Sequence, residues 1–488
     1  MESNRLDLAA PHRVAPCRVA SQYAVPYCAV PRRASSRCAT DLQPSPCQWT
    51  TLPCGLRVVV ERTVGPVVYA GVAVDAGTRD ESPCESGMAH LVEHLLFKGT
   101  ERRRAWHVLS RLDSVGGELN AFTTKEETVI HATFLTPHLA RALDLLLDIA
   151  LHSTFPQREM DREVEVIVDE IRSYEDEPQE LIFDEFEELL FPGHPLGRNI
   201  LGDPDHLRTY RSADVQSFCH RLYRPERMVV FVRGEVDFRR VVCLVQRFVG
   251  DQPALAVQAT PGSGRGEGEV VGDGASGSLG DSAVGNAKGG AASFGLPHRL
   301  PPPTYRPVHE VRKRGTHQAH VVLGCPGYAS DDSRRTALYL LSNLLGGPAM
   351  NSRLNLLLRE RSGLVYQVET SLTSYTDTGV FAIYLGCDVH DVDRCLRLTH
   401  RELQRLIDHL LTPKQLAAAQ RQLIGQLGVA SDHGDEMALA LAKAFLHQGH
   451  YDPPEALYDR IRALSSTDLQ QVARDLLEPE HLSTLVYR

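Results

Sequence analysis

Gly262-Ser-Gly-Arg-Gly-Glu-Gly-Glu-Val-Val-Gly-Asp-Gly-Ala-Ser-Gly-Ser-Leu-Gly280-Asp-Ser-Ala-Val-Gly-Asn-Ala-Lys-Gly-Gly290 divides the chain. Glycine fills 11 of these 29 positions, so the stretch cannot bury enough apolar area to offset the entropy of ordering it. It reads as the core of a flexible linker spanning 251–303. On either side lie two stretches of ordinary domain size, 51–250 and 304–488. Residues 1–50 differ from both, with six Arg, six Pro and only three acidic residues. They read as a disordered or targeting extension, because the prolines forbid a long helix and no apolar signal region is present.

The two long stretches follow one order of elements. The first has Val-rich runs at 56–61 and 67–75, helices at 87–97 and 106–115, strands at 118–122 and 128–135, then helical patterns at 137–152, 156–175 and 179–190. Ser86 stands as the N-cap of the 87–97 helix. The second has strands at 307–312 and 318–324, helices at 333–345 and 352–361, strands at 364–372 and 379–386, then helical patterns at 389–410, 412–429, 434–448 and 466–477. Strands and helices running in blocks predict an α+β fold: two homologous domains, each an antiparallel-rich sheet covered by helices.

The balance of 52 basic against 62 acidic residues gives 52 − 62 = −10, which argues against a nucleic-acid binder. No run of 18 apolar residues predicts a membrane span. Eleven scattered cysteines, an odd number, fit a reducing compartment better than a disulfide framework.

Chemistry concentrates in His90-Leu-Val-Glu93-His94, inside the 87–97 helix. Imidazoles four apart project from one helical face and can share one zinc, while Glu93 beside them can take a proton from water. The order is H-x-x-E-H, the inverse of the commoner H-E-x-x-H. A catalytic zinc needs a third ligand. The 156–175 helix offers Glu163 and Glu170, two turns apart at the edge of an apolar stripe of Met160, Val164, Ile167 and Ile171. By spacing alone, these carboxylates serve a site or a solvated face equally well.

His90-Leu-Val-Glu-His-Leu-Leu-Phe-Lys-Gly-Thr100 resembles the zinc motif of the pitrilysin/insulinase family of metallopeptidases, which includes bacterial processing proteases and the mitochondrial processing peptidase. Gly116-Gly-Glu-Leu-Asn120-Ala-Phe-Thr-Thr-Lys-Glu126, Arg172 to Asp184 and Phe191 to Gly202 are similar to further motifs of the family in the same order. The resemblance implies one zinc per chain on His90, His94 and Glu170, with Glu163 in support and Glu93 as general base. It implies that an extended peptide lies along Asn120, Ala121 and Phe122, with Glu180 and Asp184 at positions that bind substrate arginines in the mitochondrial relatives. In the second half, Tyr339, Ser342 and Asn343 align with His90, Glu93 and His94, so no ligand set remains there. Arg359 and Tyr366 match a pair that, in large one-chain members, reaches the zinc site from the last domain to position the substrate carbonyl.

These expectations make the chain a zinc endopeptidase acting on peptide or protein segments. A non-catalytic assembly subunit, a peptide-binding chamber or an organellar presequence-processing subunit are the competing readings. The expected assembly is a homodimer whose sites are completed in trans, the alternative being a heterodimer with a zinc-less paralogue. The bacterial likeness favours a cytoplasmic setting, and a transit function for residues 1–50 would instead place the protein in the mitochondrial matrix or a plastid.

Overall fold

A computed structural model describes residues 47–250 and 299–488. The first sheet contains β1 (Cys47–Thr51), β2 (Arg57–Arg62), β3 (Val67–Val74), β4 (Glu118–Thr123), β5 (Thr128–Leu135) and β6 (Met228–Gly234), in the order β1-β2-β6-β3-β5-β4. The second contains β7 (His309–Arg312), β8 (Ala319–Gly327), β9 (Val365–Ser374), β10 (Gly379–Cys387) and β11 (Ser483–Tyr487), in the order β7-β11-β8-β10-β9. Omitting β1, the sheets are topologically alike: each has one parallel pair, β2 with β6 or β7 with β11, and is otherwise antiparallel. The α+β reading and the internal repeat therefore hold.

Each sheet packs one face on helices of its own half. Val58, Val60, Val72 and Ile130 meet Leu91, Leu95, Leu143 and Leu146 in the first core, and Val321, Leu323, Phe381 and Ile383 meet Leu338, Leu341 and Leu403 in the second. The opposite faces are covered by exchange. Helix Pro178–Leu190 of the first half lays Ile182 and Phe186 over Val322, Val380, Tyr384 and Leu485 of the second sheet. Helix Gly434–His447 of the second half lays Leu441, Ala442 and Phe445 over Val59, Ala73, Val229 and Phe231 of the first. Arg57 locks that return contact by donating to the carbonyls of Phe445 at 2.6 Å and Leu446 at 3.2 Å. A sheet apolar on both faces explains why β6 and β10 read as continuous hydrophobic runs.

Several local readings change. The first sheet begins at Cys47, inside the stretch read as an extension; β1 is an edge strand with an irregular burial pattern, so it lacks the alternation that would have revealed it. Gly87, not Ser86, is the N-cap of helix Met88–Leu96, with φ at +82°, and the Glu81 carboxylate accepts from the amides of Gly87 at 3.1 Å and Ala89 at 2.9 Å. All of the Gly-rich stretch lies outside the described residues, but the end of the segment read as a linker, 251–303, is anchored: Arg299 is buried against Asp75 and Asp80, both at 2.8 Å. The helical pattern at 352–361 is a π-helix, Asn355–Glu360. None of the helices among the described residues is long and apolar enough to cross a membrane.

Candidate metal centre

Helix Met88–Leu96 carries His90 and His94 on one face, and helix Gln157–Glu175 packs across it through Met160, Val164, Ile167 and Ile171. The crossing brings Glu170 to both imidazoles. Its Oε2 lies 4.0 Å from His90 Nε2 and 3.5 Å from His94 Nε2, and one donor atom from each of the three residues falls within 4.8 Å of the others. Among the described residues this is the one group of three or more metal-type donors so placed.

The surroundings prepare those donors for a cation. Glu163 Oε2 sits 3.2 Å from His94 Nδ1, which favours a proton on Nδ1 and makes Nε2, facing Glu170, the nitrogen that can ligate once its own proton leaves. Lys98 Nζ holds the other Glu163 oxygen at 2.6 Å. Complete burial pushes His90 down to about 3, so it is neutral and able to ligate, while its Nδ1 has no hydrogen-bond partner. Burial would also lower His94, but Glu163, Glu170 and Glu93 outweigh it and raise the ring to about 9. Burial would likewise raise Glu170, yet the two histidines hold it below the usual carboxylate range. Without metal the cluster keeps a proton, and a divalent cation would displace it. Two imidazoles, one carboxylate and an oriented tautomer fit zinc.

Glu93 stands beside this group, close enough for the charges of His94 and Glu170 to act on its carboxylate. Burial raises its carboxyl, while the hydroxyl and amide of Thr123, at the end of β4, pull it back. Its Oε2 is buried without a hydrogen-bond partner. Because β4 is the edge of its sheet, the outward-facing backbone groups along Asn120, Ala121 and Phe122 are open to an added strand.

The remaining candidates separate from this cluster. Asp184 faces the Tyr174 hydroxyl and Lys125, and burial raises its carboxyl. Glu180 is exposed one turn earlier. Tyr366 is 63% exposed near the start of the edge strand β9, and Arg359 lies 3.9 Å from Glu360; among the described residues no hydrogen bond or ion pair joins either to the His90–His94–Glu170 group. In the second half Asn343 Nδ2 donates to Gln426 Oε1 at 2.7 Å. Gln426 stands 426 − 413 = 13 positions into its helix, as Glu170 stands 170 − 157 = 13 into its own, so two neutral amides replace a histidine and a carboxylate. Sequence reasoning missed the roles of Lys98 and Thr123. Lys98 sits four residues after His94, a spacing that could have flagged it; Thr123 carried no signal because its partner is distant in the chain.

A family model described as insulinase (peptidase family M16) matches residues 57–204, and one described as peptidase M16 inactive domain matches 211–423. An uncharacterized zinc protease of Streptomyces coelicolor is 34% identical over 434 residues, covering 88% of this chain and 86% of that protein. One from Bacillus subtilis is 29% identical over 434 residues, covering 88% and 96%. Among solved structures, a protease from Helicobacter pylori matches with a TM-score of 0.79 at 21% identity, over 91% of this chain and 99% of that one. A peptidase M16 inactive domain from Pseudomonas fluorescens matches with a TM-score of 0.75 at 17% identity, over 90% and 98%.

Proposed function

Since the chain belongs to the insulinase family of peptidases (family M16), we propose that it is a zinc endopeptidase cleaving extended peptides or unfolded protein segments. The observation that carries this is the convergence of His90, His94 and Glu170, with a buried carboxylate, Glu93, on the same helix. Held by those three residues, zinc would polarise the scissile carbonyl and bring the pKa of water towards ~7. Glu93 takes the proton from the attacking water at its unpartnered Oε2 and returns it to the leaving amine. Its raised carboxyl suits a base working near neutrality. The peptide adds to β4 as a further antiparallel or parallel strand along Asn120, Ala121 and Phe122, hydrogen-bonded to the backbone groups that face outward there. Glu180 is the exposed acid that would meet a basic substrate side chain, whereas Asp184 supports the wall behind it.

The exposed Tyr366 and Arg359 serve the catalytic centre of a second copy, where the hydroxyl of Tyr366 would stabilise the developing oxyanion. This makes a two-fold homodimer the working unit. The eight cysteines among the described residues form no disulfide with one another, which suits a reducing, cytoplasmic setting. The decisive experiment is metal analysis with cleavage of an unfolded peptide, using Glu93→Gln as control; cleavage that survives this change refutes the mechanism. Mixing Glu93→Gln with Tyr366→Phe chains tests the assembly. Activity should partly return in heterodimers, and subunit exchange without return would rule out completion in trans. Co-purification of a zinc-less second chain would replace the homodimer by a heterodimer.

A further inference from the structure

The turn joining the peptide-receiving strand β4 to β5 carries three consecutive charged residues, Lys125, Glu126 and Glu127, and all three are buried. A hairpin turn ordinarily presents such side chains to water. Here each one is held by a different element. Lys125 donates to the carbonyl of Arg198 and lies 3.5 Å from Glu187, whose other oxygen accepts from the Tyr375 hydroxyl at 2.9 Å. Glu126 accepts from the Thr376 amide at 2.9 Å and the Thr376 hydroxyl at 2.7 Å, and pairs with Arg79 at 2.6 Å. Arg79 in turn reaches Asp377 at 2.6 Å. Glu127 meets Lys443 at 2.9 Å and His447 at 2.6 Å.

Tyr375, Thr376, Asp377, Lys443 and His447 all belong to the second half, which has no metal-donor group of its own among the described residues. The turn starts one residue after Thr123, whose hydroxyl and amide face Glu93. We propose that this buried turn is a positioning clamp through which the zinc-less half holds β4 and Glu93 in working geometry. The residues of the clamp touch neither metal nor peptide; they act through β4 and Thr123. Displacing the base or the strand by even an ångström slows the reaction far more than the strength of one hydrogen bond would suggest. The inference deepens the peptidase reading, and only its kinetic arm depends on that reading.

Thr376→Val keeps the shape of the side chain and removes one hydrogen bond to Glu126. It should lower kcat/KM for peptide cleavage by about tenfold, with kcat reduced and KM raised, while zinc content stays at the wild-type level. Thr376→Ser, which keeps the hydroxyl, should return kcat/KM to within about twofold of wild type. Hydrogen exchange of the amides of 118–123 should quicken in Thr376→Val and, through an independent grip, in Lys443→Met. A purely structural role predicts fewer active molecules at unchanged KM, and that result overturns the proposal. So does wild-type exchange across 118–123 in both variants, or failure of Thr376→Ser to restore activity. Should the wild-type protein cleave no peptide, the peptidase reading falls, and the exchange comparison still decides the clamp.

Discussion

Leu441 lies in the second half but is fully buried against the first sheet, among Val59, Ala73, Val129, Val229 and Phe231. Leu441→Ala therefore perturbs the half to which it does not belong in sequence. Truncating a buried leucine costs about 2–5 kcal/mol, and a sheet backed by a full helical layer on its other face has little freedom to collapse into the cavity, so about 3 kcal/mol or more is expected. With a urea slope of about 3 kcal/mol per molar or slightly above, the unfolding midpoint should fall by about 1 M. Pulsed hydrogen exchange at increasing urea reads the sheets separately, through peptides of β3 and β6 for the first and β8 and β10 for the second. Both sets should lose protection together at the lowered midpoint, because helices Pro178–Leu190 and Gly434–His447 cross between halves. If β3 and β6 keep the wild-type midpoint while β8 and β10 shift, the helix exchange does not couple the halves and the reasoning fails.

His90→Ala, His94→Ala and Glu170→Gln should each abolish stoichiometric zinc by elemental analysis, since three protein ligands leave none to spare; full occupancy in Glu170→Gln would remove that residue from the ligand set. Glu163→Gln should weaken zinc by roughly 10–100-fold in a chelator competition, because the carboxylate orients His94 without ligating. Glu93→Gln should retain zinc and lose cleavage. Burial would raise Glu127, but Lys443 and His447 hold it far below the usual range. Its stabilisation is thus complete above the unfolded value near ~4.3 and drains as pH falls through the folded one. Glu127→Gln should be less stable at pH 7 and lose less stability between pH 4.5 and acid, measured by urea midpoints at ~0.5 pH intervals.

The spacing of His90, Glu93 and His94 is local chemistry: one helical turn sets it, so the sequence alone determined which three side chains share a face. Alternating and helical periodicities likewise placed β3, β5, the Met88–Leu96 helix and the Gln157–Glu175 helix, whose lengths are governed by short-range patterns. The repeat was legible for the same reason. Which ring nitrogens Glu163 and Glu170 meet was not, because both lie on one side of their helix and only the crossing of two helices puts Glu163 on His94 Nδ1 and Glu170 on the Nε2 atoms of both histidines. Strand β6 was equally illegible although it forms the middle of its sheet; its partners β2 and β3 are more than 150 residues away, and its run carries no alternation. The exchange of covering helices and the burial of Lys125, Glu126 and Glu127 lay further still from any sequence signal. A charged triplet at a turn reads as solvated, and it becomes a clamp only when Arg79, Thr376, Lys443 and His447 converge on it from distant segments. Tertiary packing alone brings such groups together, because burying each charge is tolerable only where a partner of opposite sign is already in place.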